Sequence, residues 1–293
     1  MPLFKGAGTA LVTPMTDDGV DFDAFGRLID FQLKNGIDAL VACGTTGEPP
    51  TLTENEYEEV IRFTVEKAGK RVPVVAGAGS NSTAHAIELA KKVESLGADG
   101  ILAVTPYYNK TTQAGLVAHF RAIADAVHTP VILYNVPPRT GMNMKADTVA
   151  KLAGYRNIHG VKEASGDLGQ VTDIARLCAG KMALWSGADD IILPVLACGG
   201  DGVISVVSNV APKETHELCL RFFEGDIDGS KTLQFALKPL VDALFLETSP
   251  IPVKAALELM GICRATVRLP LVPIGSEALA RLKAEMKKLN LIK

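Results

Sequence analysis

Short runs of Val, Ile, Leu and Ala recur along most of the chain, separated by polar stretches with a helical period. The runs fall at residues 8–13, 39–44, 72–77, 100–105, 130–135, 158–163, 182–186 and 202–207. Several are nearly continuous in apolar residues, which suits parallel strands buried on both faces. Between them the pattern changes. Ala86, Leu89, Ala90 and Val93 follow the i, i+3, i+4, i+7 spacing of a helix face. Thr53-Glu54-Asn55-Glu56 reads as a capping box that opens another helix.

Strand and helix therefore alternate eight times, which predicts an α/β fold, a (β/α)8 TIM barrel. An open doubly wound sheet is the alternative, but eight strands at similar spacing favour closure. After about Phe223 the strand pattern stops. Helical patterns over 230–247, 252–260 and 276–289 predict a C-terminal helical extension. The expected division is a barrel over residues 1–224 that carries the active site and a helical domain over 225–293.

Composition narrows the function. A length of 293 residues suits a barrel of about 250 residues with a small extension. A net charge of −3 with no Lys/Arg cluster argues against a nucleic-acid partner. The start of the chain lacks a signal-peptide pattern, and no apolar stretch approaches the roughly 18 residues of a membrane helix. Cys43, Cys178, Cys198, Cys219 and Cys263 are scattered with no CxxC pair, as expected for reduced thiols in a cytoplasmic protein. The histidines show no metal-ligand spacing, so no metal is expected.

Barrel enzymes place their chemistry at the C-terminal ends of the strands. Here the second run ends in Gly44-Thr45-Thr46-Gly47-Glu48 and the fourth in Thr105-Pro106-Tyr107-Tyr108-Asn109. The fifth leads through Tyr134-Asn135-Val136-Pro137-Pro138 to Arg139-Thr140-Gly141. The sixth carries Val161-Lys162-Glu163-Ala164, the seventh ends at Gly187, and the eighth holds Ile204.

Lys162 is the outlier, a lysine inside an apolar strand. An ammonium is costly to bury, and the neutral amine that burial favours attacks carbonyl carbons to form Schiff bases. The competing reading is a strand-end lysine that reaches solvent or pairs with Glu163. The glycine turn offers backbone N–H groups and two hydroxyls to a carboxylate, or it is an ordinary strand-to-helix turn. Tyr134 offers a phenol for proton transfer, or it fills the barrel core. Arg139 offers a bidentate fork to a carboxylate, or it makes a surface ion pair. The glycine-rich run Gly77-Ala78-Gly79-Ser80, after the third strand, lacks the later spacing of a dinucleotide loop.

These motifs, in this order and over essentially the whole chain, resemble the dihydrodipicolinate synthase family, within the N-acetylneuraminate lyase group of class I aldolases. The resemblance rests on Gly44 to Glu48, Thr105 to Asn109, Leu133 to Pro137 with Arg139 to Gly141, and Val161 to Ala164. It implies that Lys162 forms an imine with pyruvate and that Tyr134 relays protons, linked by Thr45 to Tyr108 from a neighbouring subunit. Thr46 and its backbone would hold the pyruvate carboxylate. Arg139 would bind the carboxylate of L-aspartate-4-semialdehyde, and the backbone at Gly187 and Ile204 would line the pocket. The implied product is 4-hydroxy-tetrahydrodipicolinate, on the way to diaminopimelate and lysine. No metal or organic cofactor is implied, and the implied assembly is a homotetramer built as a dimer of dimers.

Two other readings compete. Lyases of N-acetylneuraminate and keto-deoxy sugars share the lysine and the tyrosine, but Tyr108 and Arg139 argue against them. A non-catalytic sensor of pyruvate-like acids would not need both Lys162 and Tyr134. Feedback-inhibited relatives bind lysine in a pocket matching Pro49, Pro50, Glu54, Tyr57, Asn81, His85 and Tyr107. They place a carboxylate where His85 stands, so inhibition by lysine is expected to be weak or absent here, with Glu54 the one nearby carboxylate that could compensate.

Overall fold

The computed structural model describes residues 2–293. Eight parallel strands close into a barrel, each hydrogen-bonded to its neighbours in chain order, with the last returning to the first. They are β1 (Gly6–Ala10), β2 (Ala39–Ala42), β3 (Val74–Gly77), β4 (Gly100–Val104), β5 (Val131–Asn135), β6 (Ile158–Glu163), β7 (Ala183–Ser186) and β8 (Gly202–Ser205). Helices between them cover the outside, so the strands are apolar on both faces, as the composition of the runs implied.

Two apolar cores result. One fills the shell between strands and helices. The other lies inside the barrel and includes Val41, Val75, Ile132, Tyr134, Trp185 and Ile204. Phe4 stacks on Trp185 there, with ring centroids 4.9 Å apart. Gly160 makes the room, since a Cβ on it would come within 2.3 Å of the Trp185 ring.

The first strand differs from expectation. It spans Gly6–Ala10 rather than 8–13. Leu11 keeps one ladder bond to Val41, but the chain then leaves the barrel. Pro14 has no N–H to offer a ladder, and a short hairpin of Met15–Thr16 against Gly19–Val20 follows. The capping box forms as read: Thr53 accepts from the Glu56 N–H, and Glu56 accepts from the Thr53 N–H. It opens α1, our label for Glu54–Ala68.

The extension consists of helices α2 (Ile227–Leu244), α3 (Ile251–Leu259) and α4 (Ser276–Lys288). Gln234 of α2 donates to the Asp189 carbonyl and accepts from the Leu193 N–H, both at 3.0 Å, which fastens α2 to the segment after β7. Among the described residues no helix is long and apolar enough to cross a membrane.

Candidate active site

Tyr134 and Lys162 are register partners on β5 and β6. Opposed residues of paired strands point to the same face, here the barrel interior. Both are buried, each 6 % exposed, and the Lys162 amine lies 4.3 Å from the centre of the Tyr134 ring. Among the described residues Lys162 makes no ion pair. The pairing with Glu163 that the sequence left open does not form. Glu163 points to the other face of β6, where it accepts from the Asn135 amide at 2.9 Å and from the Ser165 N–H at 2.7 Å. Burial pushes its carboxyl up, against those hydrogen bonds. That network ties the ends of β5 and β6 together beneath the site.

Gly187 follows β7, and its N–H donates to the Glu163 carbonyl at 2.8 Å. A Cβ at this position would sit 3.0 Å from Lys162 Cε and 2.6 Å from the Ala164 Cβ. The glycine therefore makes room for the lysine stem. Ile204 is buried in β8 and belongs to the interior core.

The turn after β2 is a single helical turn, Thr45–Gly47, entered from an extended Gly44 and left through Glu48 in the left-handed region, φ 56°. Gly47 and Glu48 bond back to Gly44 and Thr45. The N–H groups of Thr45 and Thr46 open the turn, where no turn carbonyl can accept them. Thr46 is buried and Thr45 half-buried. Thr13 holds the turn from below, donating to the Gly47 carbonyl at 2.7 Å.

Arg139 stands exposed on the short helical turn Pro137–Thr140 that β5 feeds. One guanidinium nitrogen donates to the Ser249 carbonyl at 3.2 Å, just ahead of α3. Tyr108 is different. It is 90 % exposed, with φ 67°. Among the described residues Thr45, Tyr134 and Tyr108 do not hydrogen-bond one another within the single chain.

Sequence reading assigned no role to four buried residues around this site, although it quoted Glu48 within the glycine-turn motif. Asp189 accepts from the N–H groups of Val206 and Val207, both at 2.9 Å. Burial pushes its carboxyl up, opposed by those N–H groups. Thr13 is the second. Glu48 and Lys254 are the others, ion-paired at 2.5 Å. Lys254 carried the same signal as Lys162, a lysine in an apolar run, but on a helix remote in sequence. A surface cavity of about 550 Å3 lies at the opposite end of the barrel, bordered by Pro2, His159, Lys181 and Asp201, and none of the site residues lines it.

The arrangement joins a buried amine without a counter-ion, a phenol beside it, a turn with open N–H groups and a guanidinium at the rim. Such a set suits covalent capture of a small keto acid, with proton transfer close by.

Comparison with known proteins agrees. Residues 3–289 match the model of the dihydrodipicolinate synthetase family. The 4-hydroxy-tetrahydrodipicolinate synthase of Acetivibrio thermocellus is 50% identical over 291 residues, covering 99% of each chain. The dihydrodipicolinate synthase of Thermotoga maritima superposes with a TM-score of 0.98 at 45% identity, covering 99% of this chain and 100% of that one. That of Acinetobacter baumannii, in complex with pyruvate, superposes with a TM-score of 0.96 at 44% identity, covering 98% and 99%. With the barrel, the lysine and the glycine turn in place, the chain belongs to the dihydrodipicolinate synthetase family.

Proposed function

We propose that the chain condenses pyruvate with L-aspartate-4-semialdehyde through a Schiff base on Lys162 and releases 4-hydroxy-tetrahydrodipicolinate. One observation carries the assignment of the nucleophile: Lys162 is buried against Tyr134 with no ion-pair partner among the described residues. Its amine attacks C2 of pyruvate, and the carbinolamine loses water to give the imine. The imine draws electrons from the methyl group, which loses a proton to become an enamine. The enamine carbon attacks the aldehyde. The amine of the semialdehyde then attacks C2, closes the ring and frees Lys162.

Each step moves a proton, and in this reading Tyr134, packed against Lys162, carries it. Thr45 links Tyr134 to Tyr108 of a second copy. Thr46 and the N–H groups of the turn hold the pyruvate carboxylate. Arg139 receives the carboxylate of the semialdehyde, and the backbone at Gly187 and Ile204 lines the pocket. Residues 1–224 carry this chemistry, and residues 225–293 brace it. The active assembly is a homotetramer, a dimer of dimers, in the cytoplasm, where the five free cysteines stay reduced.

The test is product formation from pyruvate with each candidate aldehyde. The semialdehyde is expected to be consumed far faster than N-acetylmannosamine or keto-deoxy-sugar aldehydes. The reverse preference would contradict the assignment. Arg139→Ala is expected to raise the KM for the semialdehyde by about 10-fold or more while imine formation with pyruvate is preserved. Equal loss of both would make Arg139 structural.

A further inference from the structure

Lys254 is fully buried on the apolar helix α3, and its ammonium lies 2.5 Å from the equally buried carboxylate of Glu48. It also donates to the Thr266 carbonyl at 2.7 Å. Burial pulls the Lys254 ammonium down, and the charge of Glu48 opposes this. Glu48 is the residue that leaves the turn Thr45–Gly47. Its left-handed backbone, φ 56° and ψ 40°, is one that a side-chain-bearing residue keeps only where its surroundings impose it.

The fastening continues along the chain. The Arg268 N–H donates to the second Glu48 oxygen at 3.4 Å. The Arg268 guanidinium donates to the Thr51 carbonyl and to Glu56, both at 2.7 Å. Glu48, Thr51 and Glu56 thus lie in order along the path from the turn into α1, and residues of the C-terminal extension hold all three. A buried ion pair is a poor source of stability compared with apolar groups of equal volume. What it supplies is a fixed direction between two segments.

We propose that the Glu48–Lys254 pair positions the carboxylate cradle, so that the extension sets where the Thr45 and Thr46 N–H groups and hydroxyls point. The inference rests on the reading of Thr45–Gly47 as the site of the pyruvate carboxylate. Neither Glu48 nor Lys254 touches substrate in this account. Their effect passes through the turn.

The test uses the full-length enzyme and measures kcat and both KM values, with thermal unfolding as a check on folding. The double variant Glu48→Gln/Lys254→Met removes both charges together, so no unpaired buried charge remains. It is expected to raise the KM for pyruvate about 10-fold while kcat and the KM for the semialdehyde stay within about 3-fold. Should it fail to fold, Glu48→Gln/Lys254→Gln, which removes both charges and keeps two amides that can hydrogen-bond each other, is read in the same way. Thr46→Val is run in parallel and is expected to raise the pyruvate KM by itself. If Thr46→Val does so and the folded pair variant does not, the pair is only structural and this inference falls alone. If Thr46→Val leaves the pyruvate KM unchanged, the cradle reading falls and takes the inference with it.

Discussion

Lys162 and Lys254 both sit in apolar runs, and both are buried. Partners separate them. Lys254 has Glu48 at 2.5 Å, whereas Lys162 faces the ring of Tyr134. The carboxylate ties Lys254 up, whereas no ion pair holds Lys162 away from a carbonyl carbon that enters the barrel. Gly187 offers a direct check on the space this amine needs. Gly187→Ala would push a methyl against Lys162 Cε, and a misplacement of about 1 Å at a reacting group costs about 100-fold. We expect kcat/KM to fall by about that factor in the folded variant, together with a lower unfolding temperature, because the same methyl would overlap the Ala164 Cβ. A rate near wild type would show that the lysine stem has slack there. Lys162 was legible because a charged side chain interrupts an apolar strand. Its lack of an ion pair was not, since that depends on Glu163 turning to the opposite face of the strand.

The strands were legible from their apolar runs, because burial on both faces leaves few polar residues to blur the pattern. β1 was misplaced because it begins in glycines at Gly6 and Gly8, while apolar residues continue beyond it into Leu11 and Val12. The extension helices were found close to their true limits, yet their ties to the site were invisible. Lys254 and Arg268 reach Glu48 and Glu56 across more than 200 residues of sequence, and no local pattern records that. The Arg268–Glu56 contact also has a pH signature. The hydrogen bond from Arg268 brings the Glu56 carboxyl from its ordinary 4.5 down to about 2. A carboxyl depressed in the folded state contributes stability above its unfolded value, and that contribution is lost as pH falls from about 4.5 towards 2. Unfolding temperatures taken from about pH 6 to about pH 3 are expected to fall more steeply for the wild type than for Arg268→Leu. Parallel curves would show that the contact does not couple to folding.

A single copy leaves Tyr108 almost wholly exposed, with no hydrogen bond to Thr45 or Tyr134 among the described residues. A relay through Tyr108 therefore needs a second chain to insert it, and the working unit is expected to be no smaller than a dimer. Tyr108→Phe should lower kcat more than it changes the KM for pyruvate. A monomer that is fully active in sedimentation at assay concentration would contradict this. The expected insensitivity to lysine rests on neighbouring surfaces. His85 is exposed beside Glu88, and Glu54 is ion-paired with Lys92, which also holds Glu58 at 2.7 Å. Glu54 is thus paired with Lys92, and we do not expect it to replace a carboxylate at position 85. We expect L-lysine at millimolar concentration to leave the rate essentially unchanged. Strong inhibition, abolished by Glu54→Gln, would show that Glu54 serves after all.

Borohydride trapping tests the imine most directly. The enzyme is incubated with pyruvate, reduced with sodium borohydride, digested and mapped by mass spectrometry. The account predicts one added pyruvate-derived group per chain, on Lys162, and none in Lys162→Ala with its fold intact. Trapping on another lysine, or no pyruvate-dependent mass on an active enzyme, would contradict it.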